Sequence, residues 1–126
     1  MPIEYRVIKK LEIAGSHHLD LPYESKCQHI HGHNWNVEIE CKTNVLTKYG
    51  MVVDFTDIKK LIHDPLDHKN FNTIFDFNPT AENIAEWIYK KLNDYIYHNK
   101  SYHESTRCIR VKVQESEGNI AIYESC

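Results

Sequence analysis

No apolar run in the 126 residues approaches the about 18 consecutive positions that a membrane-spanning helix needs. The opening Met1-Pro2-Ile3-Glu4-Tyr5-Arg6 has neither an apolar core nor a small-residue cleavage site. A soluble, cytoplasmic protein without a membrane partner is the expectation. A basic stripe is missing too: 15 basic and 18 acidic residues are interspersed, for a formal charge of -3, which speaks against a nucleic-acid partner. The cysteines Cys27, Cys41, Cys108 and Cys126 include no pair at a zinc-finger or redox spacing, so they read as reduced thiols. Walker-type and glycine-rich phosphate loops are absent, as are repeats, linkers and low-complexity stretches. What remains is the size of one ordinary domain, residues 1–126, able to bury about two thirds of its unfolded surface without disulfides.

Hydrophobic periodicity supplies the elements. Trp35, Val37, Ile39 and Cys41 alternate with Asn36, Glu38, Glu40 and Lys42, the pattern of a half-buried strand. The stretch from Ile3 to Ile13 is rich in apolar and β-branched residues with looser alternation, and Ile109, Val111 and Val113 alternate with polar neighbours. Glu117-Gly118-Asn119 reads as a turn into a last strand, Ile120 to Tyr123. Between these strand pairs, Asp54 is an N-cap for a short helix carrying Phe55, Ile58, Leu61 and Ile62, which Pro65 should stop. Thr80 caps a longer helix, with Ile84, Ala85, Ile88, Leu92, Tyr95 and Ile96 on one face, ending near His98. The order ββααββ predicts an α+β domain: a four-stranded antiparallel sheet with two helices on one face.

Nine histidines stand out, many of them crowded between His17 and His33. His31-Gly32-His33 opens the second strand, so a period of two puts both imidazoles on the apolar face, about 6.6 Å apart at the backbone. Both can reach one small ion. His29 has the same parity, but at about 13 Å from His33 along a strand it is near the limit for sharing a tetrahedral centre. The third ligand should come from another segment, and the pair His17-His18 is at hand; periodicity does not choose between the two. Three neutral imidazoles with an open fourth position are what a catalytic zinc requires. Satisfied or solvated histidines are the bland alternative, weakened here by their number.

Several groups could move protons. Cys27 lies four residues before His31 in a polar loop beside Lys26, and a thiol in electropositive surroundings can act as a base. An inert thiol is the competing reading; Cys41, on the apolar face of its strand, is core. Asp67-His68 joins a carboxylate to an imidazole it could orient, although such pairs are often mere polar turns. Glu115 ends the stripe Ile109, Val111, Val113 on the face that should be buried, where a carboxylate wants a partner with N–H donors. Otherwise the strand has already left the core there.

Taken together, His17-His18-Leu19, Cys27, His31-Gly32-His33, Asp54-Phe55, Leu66-Asp67-His68, Asn78-Pro79-Thr80-Ala81-Glu82 and Glu115 resemble the 6-pyruvoyl-tetrahydropterin synthase and 6-carboxytetrahydropterin synthase family over nearly the whole chain. The resemblance implies the tunnelling fold (T-fold) and zinc on His17, His31 and His33, with His17 selected over His18. It also implies Cys27 as catalytic base, Asp67 with His68 as a second proton-transfer pair, and Glu115 as anchor of the pterin ring. Three residues between the cysteine and the His-Gly-His look like the bacterial 6-carboxytetrahydropterin synthase branch of queuosine biosynthesis. Two positions depart from the family: Ile13-Ala14-Gly15-Ser16 lacks the usual aromatic, and His18 stands where an arginine is usual.

The resemblance further implies a zinc-dependent lyase that turns 7,8-dihydroneopterin triphosphate into 6-carboxytetrahydropterin, acetaldehyde and triphosphate. Homo-oligomers, trimers or stacked hexamers, are expected with it, in accord with the two sheet edges that a four-stranded sheet leaves open. One alternative is a 6-pyruvoyl-tetrahydropterin synthase, which stops before carbon–carbon cleavage. The other is a noncatalytic metal- or pterin-binding module, against which Cys27, Asp67 and His68 together argue.

Overall fold

A computed structural model of the chain describes residues 3–125; Met1, Pro2 and Cys126 lie outside the described residues. Strand β1 (Tyr5–His17) pairs antiparallel with β2 (His31–Thr43), β2 with β4 (Arg107–Ser116), and β4 with β5 (Asn119–Glu124). The turn between the last two is Glu117-Gly118, with Gly118 at φ 85, where a side chain would be strained. The α+β expectation holds, with strand pairs at both ends of the chain and the helices between them.

Among the described residues the sheet nevertheless has five strands, one more than expected. The extra one, β3 (Lys69–Asn70), runs parallel to β1 at Gly15 and Ser16 and caps part of an edge expected to be bare, giving the order β3-β1-β2-β4-β5. Two residues are too few to show a period. Strand β1 also continues four residues beyond Ile13, through Ala14-Gly15-Ser16 to His17. Small residues suit it there because Gly15 lies beneath Phe71: any Cβ at Gly15 would overlap the Phe71 ring. Trp35 Nε1 donates to the Gly15 carbonyl at 3.1 Å.

The first helical segment starts as expected, with Asp54 accepting from Thr56 N at 2.9 Å. Pro65 does not stop it. After α1 (Phe55–Ile58) the backbone widens into a π turn over Lys59–His63, then continues as α2 (Asp64–Leu66). A wider turn relieves the clash of a proline ring with the preceding carbonyls, so the chain passes Pro65 before ending. Helix α3 (Ala81–His98) is capped by Thr80, which accepts from Asn83 N at 3.1 Å, and ends at His98 as expected.

The core lies between one sheet face and these helices. Ile13, Trp35, Val37, Ile39, Val111 and Val113 meet Ile84, Ala85, Ile88 and Leu92 of α3, all of them buried. Cys41 is buried there opposite Cys108, and its thiol pKa is pushed up first by the hydrogen bond with Cys108 and then by burial. On the helix-free face, charges occupy the centre, where Lys112 meets Glu38 at 3.3 Å and Arg6 meets Glu40 at 3.0 Å. Apolar side chains sit at its two edges, with Ile8 51% exposed on β1 and Ile120 and Ile122 each 50% exposed on β5.

Candidate metal centre

The end of β1 and the start of β2 place three imidazoles in one spot. His17 stands opposite His31 in the strand register, and His33 follows two residues on with the same parity. Ring centroids are 4.6 Å apart for His17 and His31, 4.8 Å for His31 and His33, and 5.4 Å for His17 and His33. Glu115 arrives from β4. One ligand atom from each of His17, His31, His33 and Glu115 can be chosen so that all lie within 4.8 Å of one another.

The tautomers follow from the acceptors. His17 Nδ1 is 2.7 Å from the Pro79 carbonyl and His31 Nδ1 is 2.7 Å from the His29 carbonyl. A carbonyl oxygen only accepts, so each Nδ1 carries the proton and each Nε2 presents a lone pair. Metal-ligating histidines are usually held in this way. His17 is fully buried, and burial holds its pKa below the ordinary histidine value, which keeps it neutral. The Nε2 atoms of His17 and His33 are buried without a hydrogen-bond partner. Buried lone pairs left unsatisfied are costly unless something binds them, so the donor set fits a zinc ion.

His18, one residue on, takes a different part. Its backbone N–H donates to Asn72 Oδ1 at 2.8 Å, and Asn72 Nδ2 donates back to its carbonyl at 3.0 Å. The histidine pair divides into one ring in the cluster and one backbone clip. His29 contributes a carbonyl and no ring to the cluster.

Of the other candidates, Cys27 lies in a one-turn 3-10 helix (Lys26–Gln28) capped by Ser25, and its carbonyl accepts from Leu19 N at 2.7 Å. It is half-buried and outside the four-residue group. Asp67 and His68 clip onto the outer edge of β1: Ala14 N donates to Asp67 Oδ1 at 3.0 Å, and His68 N donates to the Ala14 carbonyl at 2.6 Å. The Ala14 N–H holds the Asp67 carboxyl below its ordinary pKa, so it stays ionised. Asp67 Oδ2 stands 3.5 Å from His68 Nε2 and 3.7 Å from His63 Nε2. His68 has φ 58, and its side chain is 83% exposed. It shares with His33 a shallow cleft of about 500 Å³ that Ala14, Gly32, Asn34 and Lys69 also line.

Sequence reasoning missed the carbonyls of Pro79 and His29, since every residue carries one and no side-chain pattern marks which will orient a ring.

Comparison with known proteins gives a consistent answer. The family model for 6-pyruvoyl tetrahydropterin synthase matches residues 6–126. The 6-carboxy-5,6,7,8-tetrahydropterin synthase of Bacillus subtilis (strain 168) is 27% identical over 97% of this chain and 86% of that protein. The 6-pyruvoyl tetrahydrobiopterin synthase of Homo sapiens is 28% identical over 94% of this chain and 90% of its own length. Among solved structures, the 6-pyruvoyl tetrahydropterin synthase of Caenorhabditis elegans superposes with a TM-score of 0.74 at 23% identity, covering 98% of this chain and 97% of that one. At that identity the structural likeness speaks for the fold.

Proposed function

The chain belongs to the 6-pyruvoyl tetrahydropterin synthase family, and from that premise we propose that it is a zinc-dependent 6-carboxy-5,6,7,8-tetrahydropterin synthase. Its substrates are 7,8-dihydroneopterin triphosphate and water, and its other products are acetaldehyde and triphosphate, in queuosine biosynthesis. Residues 1–126 act as one domain, in the cytoplasm. The observation that carries the reading is the pair of backbone-anchored imidazoles, His17 and His31, whose Nε2 lone pairs converge with His33. The carboxy branch is supported by the three-residue gap between Cys27 and His31 and by the name of the Bacillus subtilis relative.

His17, His31 and His33 hold the zinc. When bound, zinc supplies a Lewis acid that polarises the hydroxyl oxygens of the substrate side chain. Cys27 takes the proton from the adjacent carbon. His68, oriented by an ionised Asp67, moves a second proton as triphosphate leaves and the carbon–carbon bond breaks. Glu115 accepts from the N–H groups of the pterin ring.

The active form is a homo-oligomer, a trimer or hexamer. Apolar residues at both edges of the helix-free face, Ile8 on one side and Ile120 and Ile122 on the other, support this, because a neighbouring copy would cover them. The exposure of His68 supports a site completed across that boundary.

The test is incubation of the zinc-loaded protein with 7,8-dihydroneopterin triphosphate and identification of products by mass spectrometry. Carboxypterin together with acetaldehyde is expected. A pyruvoyl pterin without acetaldehyde would identify the alternative synthase, and zinc binding with no turnover would leave a binding module.

A further inference from the structure

We infer that Glu115 is a displaceable fourth donor of the histidine site, closing it while no substrate is bound and leaving it when substrate arrives. The inference rests on the zinc reading above and adds to it what fills the position a substrate must later occupy.

The local backbone aims this side chain. Gln114 pairs with Ile120 and Ser116 with Asn119, so Glu115 is the extra residue of a β-bulge with no partner on β5. Bulges bend a strand and re-aim the side chain they carry. Here the carboxylate turns onto the cluster, with Oε1 3.0 Å from His33 Nε2 and 3.6 Å from His17 Nε2.

That approach suits a bound cation. His17 Nδ1 is engaged with the Pro79 carbonyl, which leaves Nε2 as the ring atom turned toward Glu115 and available to a metal. A lone pair and a carboxylate oxygen repel unless a positive charge lies between them. The Nε2 atoms of His17 and His33 are buried without a hydrogen-bond partner. Three imidazoles and one carboxylate are a complete tetrahedral donor set, and a closed set cannot take substrate. Of the four, Glu115 is the ligand free to leave: His17 and His31 are tied to carbonyls and His33 stands on a residue paired with Gly15, whereas the Glu115 side chain is 24% exposed and sits on an unpaired residue. Once displaced, the same carboxylate is available to a ring N–H, so closing the site and holding the pterin become alternating tasks of one residue.

The experiment uses the full chain loaded with zinc or cobalt(II), without substrate. Circular dichroism first verifies that Glu115→Gln and His31→Ala keep the wild-type fold. Chelator competition should show zinc bound roughly 10- to 100-fold more weakly by Glu115→Gln, at least the loss seen when an outer-shell partner is removed. Azide should leave the visible spectrum of wild-type cobalt protein unchanged and shift that of Glu115→Gln, where the fourth position is open to anions. Equal zinc affinity and equal azide response in the two proteins would overturn the inference, while loss of zinc in His31→Ala would leave the site reading intact. Undiminished zinc in His31→Ala would instead remove the site reading itself.

Discussion

His17 stands directly opposite His31 in the β1–β2 register, with ring centroids 4.6 Å apart. Two paired strands thus set the separation of two rings, and the Pro79 and His29 carbonyls set their rotation. A site built on strands holds its geometry better than one built on loops.

That division of labour makes the first prediction specific. His17→Ala, His31→Ala and His33→Ala should each lose stoichiometric zinc by elemental analysis. His29→Ala should keep it, because its contribution is a backbone carbonyl that alanine also has. Zinc lost from His29→Ala and retained by the other three would invalidate the ligand set.

Cys27→Ala should retain zinc and fold while turnover falls by about 10²- to 10⁴-fold, the usual worth of a positioned proton-transfer group. The thiol is half-buried and lies outside the histidine and glutamate group. Wild-type turnover in this variant would remove the proposed base.

Gly15→Ala should destabilise the protein by about 1–3 kcal/mol through overpacking against the Phe71 ring, measured by urea unfolding of the metal-free chain. Phe71→Leu makes room, so the double variant should cost less than the sum of the single ones. Strict additivity would mean that the contact is relieved some other way.

Alkaline stability should depend on Tyr102. Its hydroxyl accepts from Asp54 N at 3.0 Å and donates to Asp57 Oδ2 at 3.2 Å, and burial is the first cause that pushes its pKa up to about 12. Between the ordinary value of 10.0 and about 12 the unfolded chain gives up this proton and the folded one keeps it. Stability contributed by the group is therefore present below pH 10.0 and lost as pH rises through about 12. Tyr102→Phe should make that part of the stability profile less steep, leaving the shares of Cys41, Tyr95 and Lys90, whose pKa values are also raised. An unchanged slope would sink the assignment.

The sheet and the long helix were legible because their residues alternate or recur cleanly: Trp35 to Cys41, Val111 with Val113 and Ile84 to Ile96 lie on the faces their spacing implies, whereas Ile109 falls at a bulge and Cys108 takes the core position. The end of β1 was not, because Ala14-Gly15-Ser16 carries no large apolar side chain and its burial depends on Phe71 from a distant segment. Lys69–Asn70 is too short for any period, and continuation past Pro65 depends on a π turn with no side-chain signature. At the site, His31 and His33 were legible as a same-face pair. Choosing His17 over His18 by periodicity needed the strand to be known to reach His17. The bulge that aims Glu115 arises from pairing with β5 and leaves no mark in composition.

The last prediction concerns assembly. Strand β3 covers the outer edge of β1 only at Gly15 and Ser16, so the rest of that edge and the outer edge of β5 are open among the described residues. Open edges pair with other strands, and the apolar residues beside them, Ile8 on one edge and Ile120 and Ile122 on the other, favour a partner over water. The centre of the same face carries the charges Arg6, Glu38, Glu40 and Lys112, already paired within the chain, so nothing there needs a partner. A ring of copies joined edge to edge satisfies both conditions, with buried apolar seams and a charged lining. Light scattering at micromolar concentration should therefore report the mass of three or six chains. Ile122→Glu puts a carboxylate into the seam; it should shift the protein towards monomer and abolish turnover while zinc content stays stoichiometric. A wild-type monomer with full activity, or a fully active Ile122→Glu monomer, would contradict both the edge argument and a site completed by a neighbouring copy.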